Sequence, residues 1–140
     1  MTEVWFYVSD DQRPDGRARL LLRLLERALS SGRQLCLLSK DDDSASRLDD
    51  WLWREADFIP HGRCDGDRDK GQPVLICSPE QLPAEVDVLV NLATELPAAT
   101  VRARRLIELV AGDASARATG RQHWQSYRDR GYSVVKHELP

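Results

Sequence analysis

Residues 4–39 read VWFYVSDDQRPDGRARLLLRLLERALSSGRQLCLLS, and this stretch decides the fold class. An apolar, aromatic run from Val4 to Val8 predicts a strand. It precedes a helical pattern from about Pro14 to Ser30, whose apolar side chains share one side: Leu20, Leu21, Leu24, Leu25 and Ala28. Gly32 ends this helix, and residues 34–39 predict a second, buried strand. A strand, a helix and a strand in this order favour a parallel pair, because a parallel connection needs a crossover that is usually helical.

The same alternation continues to the end of the chain. A helix is predicted from about Asp42 or Ser44 through Trp53, with Asp and Ser residues suited to capping its start. Further strands are predicted at residues 74–77, 86–92 and 132–136, and further helices at about residues 100–110 and 113–130, for a total of about five strands and four helices. The sequence therefore predicts one Rossmann-like three-layer α/β domain over residues 1–140, with a mostly parallel central sheet flanked by helices.

Length and composition agree with a single compact domain. The chain has 140 residues, of which 41% are hydrophobic and 31% are charged. No stretch of 18 consecutive apolar residues occurs, and the N-terminus lacks the basic start and long apolar core of a signal peptide. We therefore expect a cytosolic, cytoplasmic protein without a membrane partner.

The three cysteines, Cys36, Cys64 and Cys77, cannot all pair. Cys36 and Cys77 lie in apolar runs, where a free thiol behaves as a small hydrophobic group, and this agrees with a reducing compartment. His61 and Cys64 have the spacing of half a zinc site, but no second pair stands at metal-ligand spacing. The sequence therefore predicts no metal site and no cofactor.

Positive charge is concentrated near the C-terminus of an acidic chain. Residues 101–136 contain seven Arg and one Lys against three carboxylates, a net charge of +5, whereas the whole chain carries −3 and the remainder therefore −8. A protein that binds nucleic acid indiscriminately would more often be basic overall. We therefore expect the basic region to bind a small anionic ligand that contacts this part of the surface only.

A basic and aromatic stripe runs along the last predicted helix. Arg117, Arg121, Trp124 and Arg128 are spaced by four, three and four residues, so on a helix their side chains fall within about 60° of arc. The stripe sets one flat ring among guanidinium groups, and such groups can hold an anionic ligand. The stripe therefore predicts a docking site.

The turn after the first strand has no phosphate-binding loop. Residues 9–16 contain neither paired glycines nor a Gly-Lys-Ser/Thr ending, and three aspartates there would repel a phosphate. Asp10 and the run Asp41 to Asp43 could instead hold Mg²⁺ for phosphotransfer, which is the alternative enzymatic function. Helix capping is the simpler role for these aspartates, because no nucleophile or base completes a mechanism.

With these segments in place, the chain resembles the chi subunit family of bacterial DNA polymerase III over nearly its whole length. The motifs that carry the resemblance are Trp5-Phe6-Tyr7, Arg47-Leu48-Asp49-Asp50 with Leu52-Trp53, Phe58-Ile59-Pro60-His61, Gly71-Gln72-Pro73-Val74, Tyr127-Arg128 and Gly131-Tyr132. The resemblance implies a non-catalytic accessory subunit of the clamp-loader complex. Such a subunit pairs with the psi subunit, binds the acidic C-terminal tail of the single-stranded DNA-binding protein, and contacts DNA only indirectly.

The resemblance also implies where the two partners bind. The positions that match the family's tail-binding site are Arg117, Arg121, Trp124 and Gln125, with Arg128 close by. The family often has tyrosine at the position of Trp124, and this change preserves a stacking surface. It often has lysine at the position of Gln125, so this chain lacks one cation of the family's site. Either Arg128 or Arg130 compensates for that loss, or the affinity for the tail is lower in this chain.

For the psi subunit the implied surface consists of Phe58 with Trp53, Ile59 and Pro60. A large exposed aromatic side chain is suited to anchor an interface. Trp51, Trp53 and Phe58 could instead cover the sheet as part of the core, and the role of Trp51 stays open. Direct nucleic-acid binding through the basic helix is a third possible function.

Overall fold

A computed structural model describes residues 2–56, 59–64 and 71–138. These residues contain seven strands and three α-helices, in the order β1 (Glu3–Val8), α1 (Gly16–Leu29), β2 (Leu35–Leu38), α2 (Asp42–Glu55), β3 (His61–Arg63), β4 (Val74–Cys77), β5 (Glu85–Asn91), β6 (Arg102–Val110), α3 (Ala114–Asp129) and β7 (Ser133–Glu138). A single 3₁₀ turn, Pro79–Gln81, lies between β4 and β5. The strands form one sheet in the order β3-β4-β2-β5-β6-β1-β7, and all of its neighbouring pairs are parallel.

Helices cover both faces of this sheet. Leu20 and Leu25 of α1 and Leu52 of α2 pack in one hydrophobic cluster, whereas Tyr127 of α3 packs in a second cluster on the opposite face. Alternate residues of β1 divide between the two clusters: Phe6 lies in that of α3, and Trp5 packs against that of α1 and α2. The predicted three-layer α/β fold with a parallel sheet is confirmed. Within the described residues, none of the helices combines the length and the apolar character that a bilayer crossing requires.

The helix predicted at about residues 100–110 is wrong. Residues 102–110 form β6, which lies between β5 and β1 and bonds to both. Interior strands of a parallel sheet are covered on both faces and therefore show a continuous apolar run rather than an alternation. Every residue from Leu106 to Val110 is buried, and all but Glu108 are apolar. By periodicity alone, such a stretch cannot be distinguished from a buried helix.

The structure has a strand between α2 and β4 that the sequence did not predict. His61–Arg63 forms the short edge strand β3, which pairs in parallel with the first three residues of β4. The count of five strands is therefore too low by two, and the count of four helices is too high by one. Strand β4, predicted at residues 74–77, has these bounds in the structure.

Candidate functional site

Helix α3 is fixed at its start by its sequence. The side chain of Asp113 accepts a hydrogen bond from the Ala116 N–H at 3.0 Å, which satisfies a backbone donor that the helix leaves free. Gly120 permits a close approach to β6, since a Cβ atom at this position would lie 3.0 and 3.1 Å from the methyl groups of Val110. At the other end Gly131 has φ = +87°, the left-handed conformation that terminates helices. The buried side of α3, with Gly120, His123 and Tyr127, is therefore held against the sheet, and its opposite side stays exposed.

Three of the sequence-predicted residues line one cavity at this position. Arg117, Arg121 and Trp124 border a groove of about 200 Å³ between α3 and the sheet. Its other walls are Phe6 and Val8 of β1, Val110 of β6, Gly120 of α3 and Lys136 of β7. The groove therefore combines an apolar floor with three cationic side chains. One of these, Lys136 on β7, was not among the residues that the sequence assigned to the docking site.

The groove side chains differ in how firmly they are held. Trp124 is half-buried, with its ring centroid 5.1 Å from that of Phe6 at an interplanar angle of 59°. Arg117 donates from Nε to the Gly112 carbonyl at 3.1 Å and from Nη2 to Asp10 Oδ1 at 3.2 Å. Within the described part of the chain, neither Arg121 nor Lys136 lies within ion-pair distance of a carboxylate. These two cations are available to an incoming anion.

The other two sequence-predicted residues do not line the groove. Gln125 donates from Nε2 to Asp129 Oδ1 at 2.9 Å on the exposed side of the helix. Arg128 is exposed one turn beyond Trp124. Arg130 does not compensate for the missing lysine at the groove, since it donates to the Pro97 carbonyl at 2.9 Å. Lys136 is a third cation at the groove, beside Arg117 and Arg121.

A buried polar network supports α3 from below. The carboxylate of Glu108, on β6, accepts hydrogen bonds from Asn91 Nδ2 at 2.8 Å and Tyr127 Oη at 2.7 Å. His123 Nδ1 lies 2.9 Å from the other Glu108 oxygen, and His123 Nε2 lies 2.9 Å from the Thr94 carbonyl. Because both ring nitrogens face acceptors, the doubly protonated imidazolium satisfies this geometry best. The hydrogen bond to Glu108 is the main reason why the pKa of His123 is raised above its usual 6.5.

This shift gives stability a dependence on pH. A histidine whose pKa is higher in the folded chain than in the unfolded chain contributes stability that is fully present below the unfolded pKa. We expect this contribution to be lost as the pH rises through the folded pKa of His123, above 6.5. Urea unfolding at a series of pH values, together with an NMR titration of the imidazole, measures both quantities. In Glu108→Gln the pKa of His123 should fall, and an unchanged pKa in that variant would contradict the assignment.

A family model described as "DNA polymerase III chi subunit, HolC" matches residues 1–135. The chain belongs to the DNA polymerase III chi subunit family. It is 34% identical over 142 residues to the DNA polymerase III subunit chi of Pseudomonas aeruginosa, which covers 100% of this chain and 99% of that protein. It is 26% identical over 141 residues to the DNA polymerase III subunit chi of Escherichia coli, with 96% of each chain covered. The resemblance inferred from the motifs is confirmed.

Several motifs that marked this chi family member have structural roles. His61 is buried at the edge of the sheet, with Nδ1 2.9 Å from the Ile59 carbonyl and Nε2 3.1 Å from Asp49 Oδ1. The ring of Trp53 lies on that of His61, with centroids 4.6 Å apart. The contact between Asp49 and His61, one residue from each of two motifs, therefore connects α2 to β3. His61 pairs with Asp49 and does not form half of a metal site with Cys64.

The residues that were predicted to bind the psi subunit differ in how exposed they are. Trp53 has 69% of its surface exposed, and Pro60 is also exposed. Ile59 is 6% exposed and packs in the core, so it supports this surface from beneath. Phe58 lies outside the described residues. Trp51 is half-buried against the core and borders a second cavity between α1 and α2.

The aspartates of the alternative magnesium site do not come together. Asp10 follows β1 and Asp41 follows β2, and two strands, β5 and β6, lie between these in the sheet. Three strand spacings place the two ends about 14 Å apart. Asp10 contacts Arg117, and Asp41 caps α2 by accepting from the Ser44 N–H at 2.8 Å. The shared site postulated from the sequence is therefore wrong, and capping accounts for Asp41.

The cysteines also differ from expectation. Cys64 and Cys77 form a disulfide, with Cα atoms 5.0 Å apart, and Cys36 is the free, buried cysteine. The expectation that Cys77 is a free thiol was wrong, because the sequence does not reveal that the residue after β3 lies beside the last residue of β4. Burial raises the pKa of the Cys36 thiol to about 11.

Proposed function

We propose that this protein is a non-catalytic accessory subunit of DNA polymerase III that links the clamp-loader complex to protein-coated single-stranded DNA. In this proposal the chain binds the psi subunit through one surface and the acidic C-terminal tail of the single-stranded DNA-binding protein through another. Membership of the chi family supports the coarse assignment. The contact with DNA would be indirect.

The observation that carries the tail-binding proposal is the groove beside α3. The tail ends in a hydrophobic residue with a free carboxylate, and the groove offers an apolar floor with Arg117, Arg121 and Lys136 at its border. Guanidinium groups hold carboxylates in bidentate fashion, while Phe6 and Trp124 would contact the terminal side chain. Lys136 would supply the cation that the family often places at the position of Gln125. Arg128 and Gln125 lie outside the groove and would contact the acidic residues that precede the terminal one.

The test is a titration with a fluorescent acidic peptide that ends in Pro-Phe, beside the same peptide without its terminal Phe. We expect saturable binding only of the complete peptide, and at least about tenfold weaker binding by Arg121→Ala, since a charged hydrogen bond contributes about 1.5 to 3 kcal/mol. Lys136→Ala should also weaken binding of the complete peptide. Arg128→Ala is the comparison variant and should have a smaller effect than Arg121→Ala, because it removes the same charge from the same helix outside the groove.

The outcomes separate the proposal from its rivals. Equal binding of both peptides would show that binding depends on the overall charge of the peptide and not on its terminal Phe. Preferential binding of single-stranded DNA, with a steep loss of affinity as salt increases, would favour direct nucleic-acid binding. Equal effects of Arg121→Ala and Arg128→Ala would show that the groove is not the site.

The psi surface is proposed on α2 and β3, around Trp53 and Pro60, with Phe58 retained as a proposed contact. The large exposed fraction of Trp53 supports this, because an aromatic side chain so exposed in a single chain is suited to anchor an interface. The two proposed surfaces lie on helices that cover opposite faces of the sheet. Both partners could therefore bind at the same time.

A further inference from the structure

Three cysteines that are distant in sequence meet at one position in the fold. Cys36 is on β2, Cys77 ends β4, and Cys64 follows β3, so the three come from neighbouring strands. The register pairs Leu38 with Cys77, and the Cys64 N–H bonds to the Ile76 carbonyl, which sets Cys64 beside Cys77. All three Sγ atoms lie within 4.8 Å of one another.

A disulfide does not account for this whole arrangement. The Cys64–Cys77 bond uses two of the sulfurs and leaves the Cys36 thiol beside them in the same cluster. The surroundings are apolar: Leu38, Leu75 and Leu89 belong to the same hydrophobic cluster on this face of the sheet. A single soft metal ion would use all three sulfurs, because thiolates prefer soft ions.

The dimensions suit such an ion. In a tetrahedral zinc site with Zn–S bonds of about 2.3 Å, the sulfur atoms are about 3.8 Å apart. The three cysteine sulfurs already lie within 4.8 Å, so small side-chain rotations in the reduced chain would complete the geometry. Cys36 and Cys77 are buried and Cys64 is half-buried, which leaves a route to solvent, and a position for a fourth ligand such as water, on the side of Cys64.

We propose that Cys36, Cys64 and Cys77, in their reduced form, bind one soft divalent metal ion of the zinc class. On binding, each thiol loses its proton and forms one sulfur–metal bond, so three protons are released for each ion bound. In the chain with the Cys64–Cys77 disulfide, two of the three sulfurs are bonded to each other and are not available as thiolate ligands, so that form does not hold the ion. The site ties the edge strand β3 to β4 and β2, and it is independent of the proposed peptide groove on α3.

The experiment starts from the full chain, reduced and metal-free, with three thiols counted in the folded state. Titration with Zn²⁺ should show one ion per chain by native mass spectrometry. Titration with Co²⁺ should produce thiolate-to-cobalt charge-transfer absorption. Cys36→Ser should remove that absorption and weaken zinc binding at least about tenfold. The variant still has both Cys64 and Cys77, the two cysteines that form the disulfide. Cys36→Ala serves if the buried serine impairs folding, as judged by urea unfolding.

Three results would overturn the proposal. The first is a chain with three counted thiols that retains no ion. The second is zinc binding that is equal in Cys36→Ser and in the unsubstituted chain. The third is a chain whose Cys64–Cys77 disulfide is reduced only when the protein unfolds.

Discussion

Glu108→Ala should lower the free energy of unfolding by about 3 to 5 kcal/mol, the usual cost of removing one partner from a buried charged pair. Glu108 is 6% exposed and is the common acceptor for Asn91, His123 and Tyr127. Alanine would leave three buried donors without their partner, and each unsatisfied buried group costs about 1 to 3 kcal/mol. Because domains are commonly stable by only about 5 to 15 kcal/mol, this is a large fraction of the total.

Urea unfolding followed by circular dichroism measures this loss, and two variants serve as controls. Glu108→Gln keeps an oxygen that accepts from Tyr127 but removes the charge beside His123, so it should fall between the wild type and alanine. Glu26→Ala removes an exposed glutamate from α1 and should change stability by less than about 0.5 kcal/mol. If Glu108→Ala were as stable as Glu26→Ala, the network would not support α3.

The basic stripe of α3 could be predicted from sequence because it depends on local periodicity alone. Arg117, Arg121 and Trp124 are three and four residues apart, and any helix brings such residues to one side. The opposite wall of the groove could not be predicted in this way. Phe6 and Lys136 are separated by most of the chain and meet because β7 pairs with β1, a pairing that no local pattern specifies.

Strand β6 is a second feature that local sequence patterns could not predict. Its sequence, RARRLIELV, has apolar residues at spacings that suit a helix, and its strand character arises from bonds to β5 and β1. Tertiary context therefore decides between two local structures of similar preference. Glu108, within this strand, could not be recognised as the centre of a network, because its three donors come from β5 and α3.

Trp53→Ala should weaken binding of the psi subunit by at least about 30-fold, which corresponds to the loss of about 2 kcal/mol expected at an interface hot spot. The physical reason is the exposed area of the ring: 69% of the residue surface is free in the isolated chain and available for burial by a partner. The ring also rests on His61, so it is already partly ordered before a partner arrives. Isothermal titration calorimetry with the cognate psi subunit measures the effect.

The control for Trp53→Ala is Leu29→Ala, which removes another exposed apolar side chain, at the end of α1. That variant should bind psi as the wild type does, and both variants should unfold at nearly the same urea concentration as the wild type. Binding of the acidic peptide should be unchanged in Trp53→Ala, just as psi binding should be unchanged in Arg121→Ala. Because α2 and α3 lie on opposite faces of the sheet, a loss of both activities in either variant would contradict two separate surfaces.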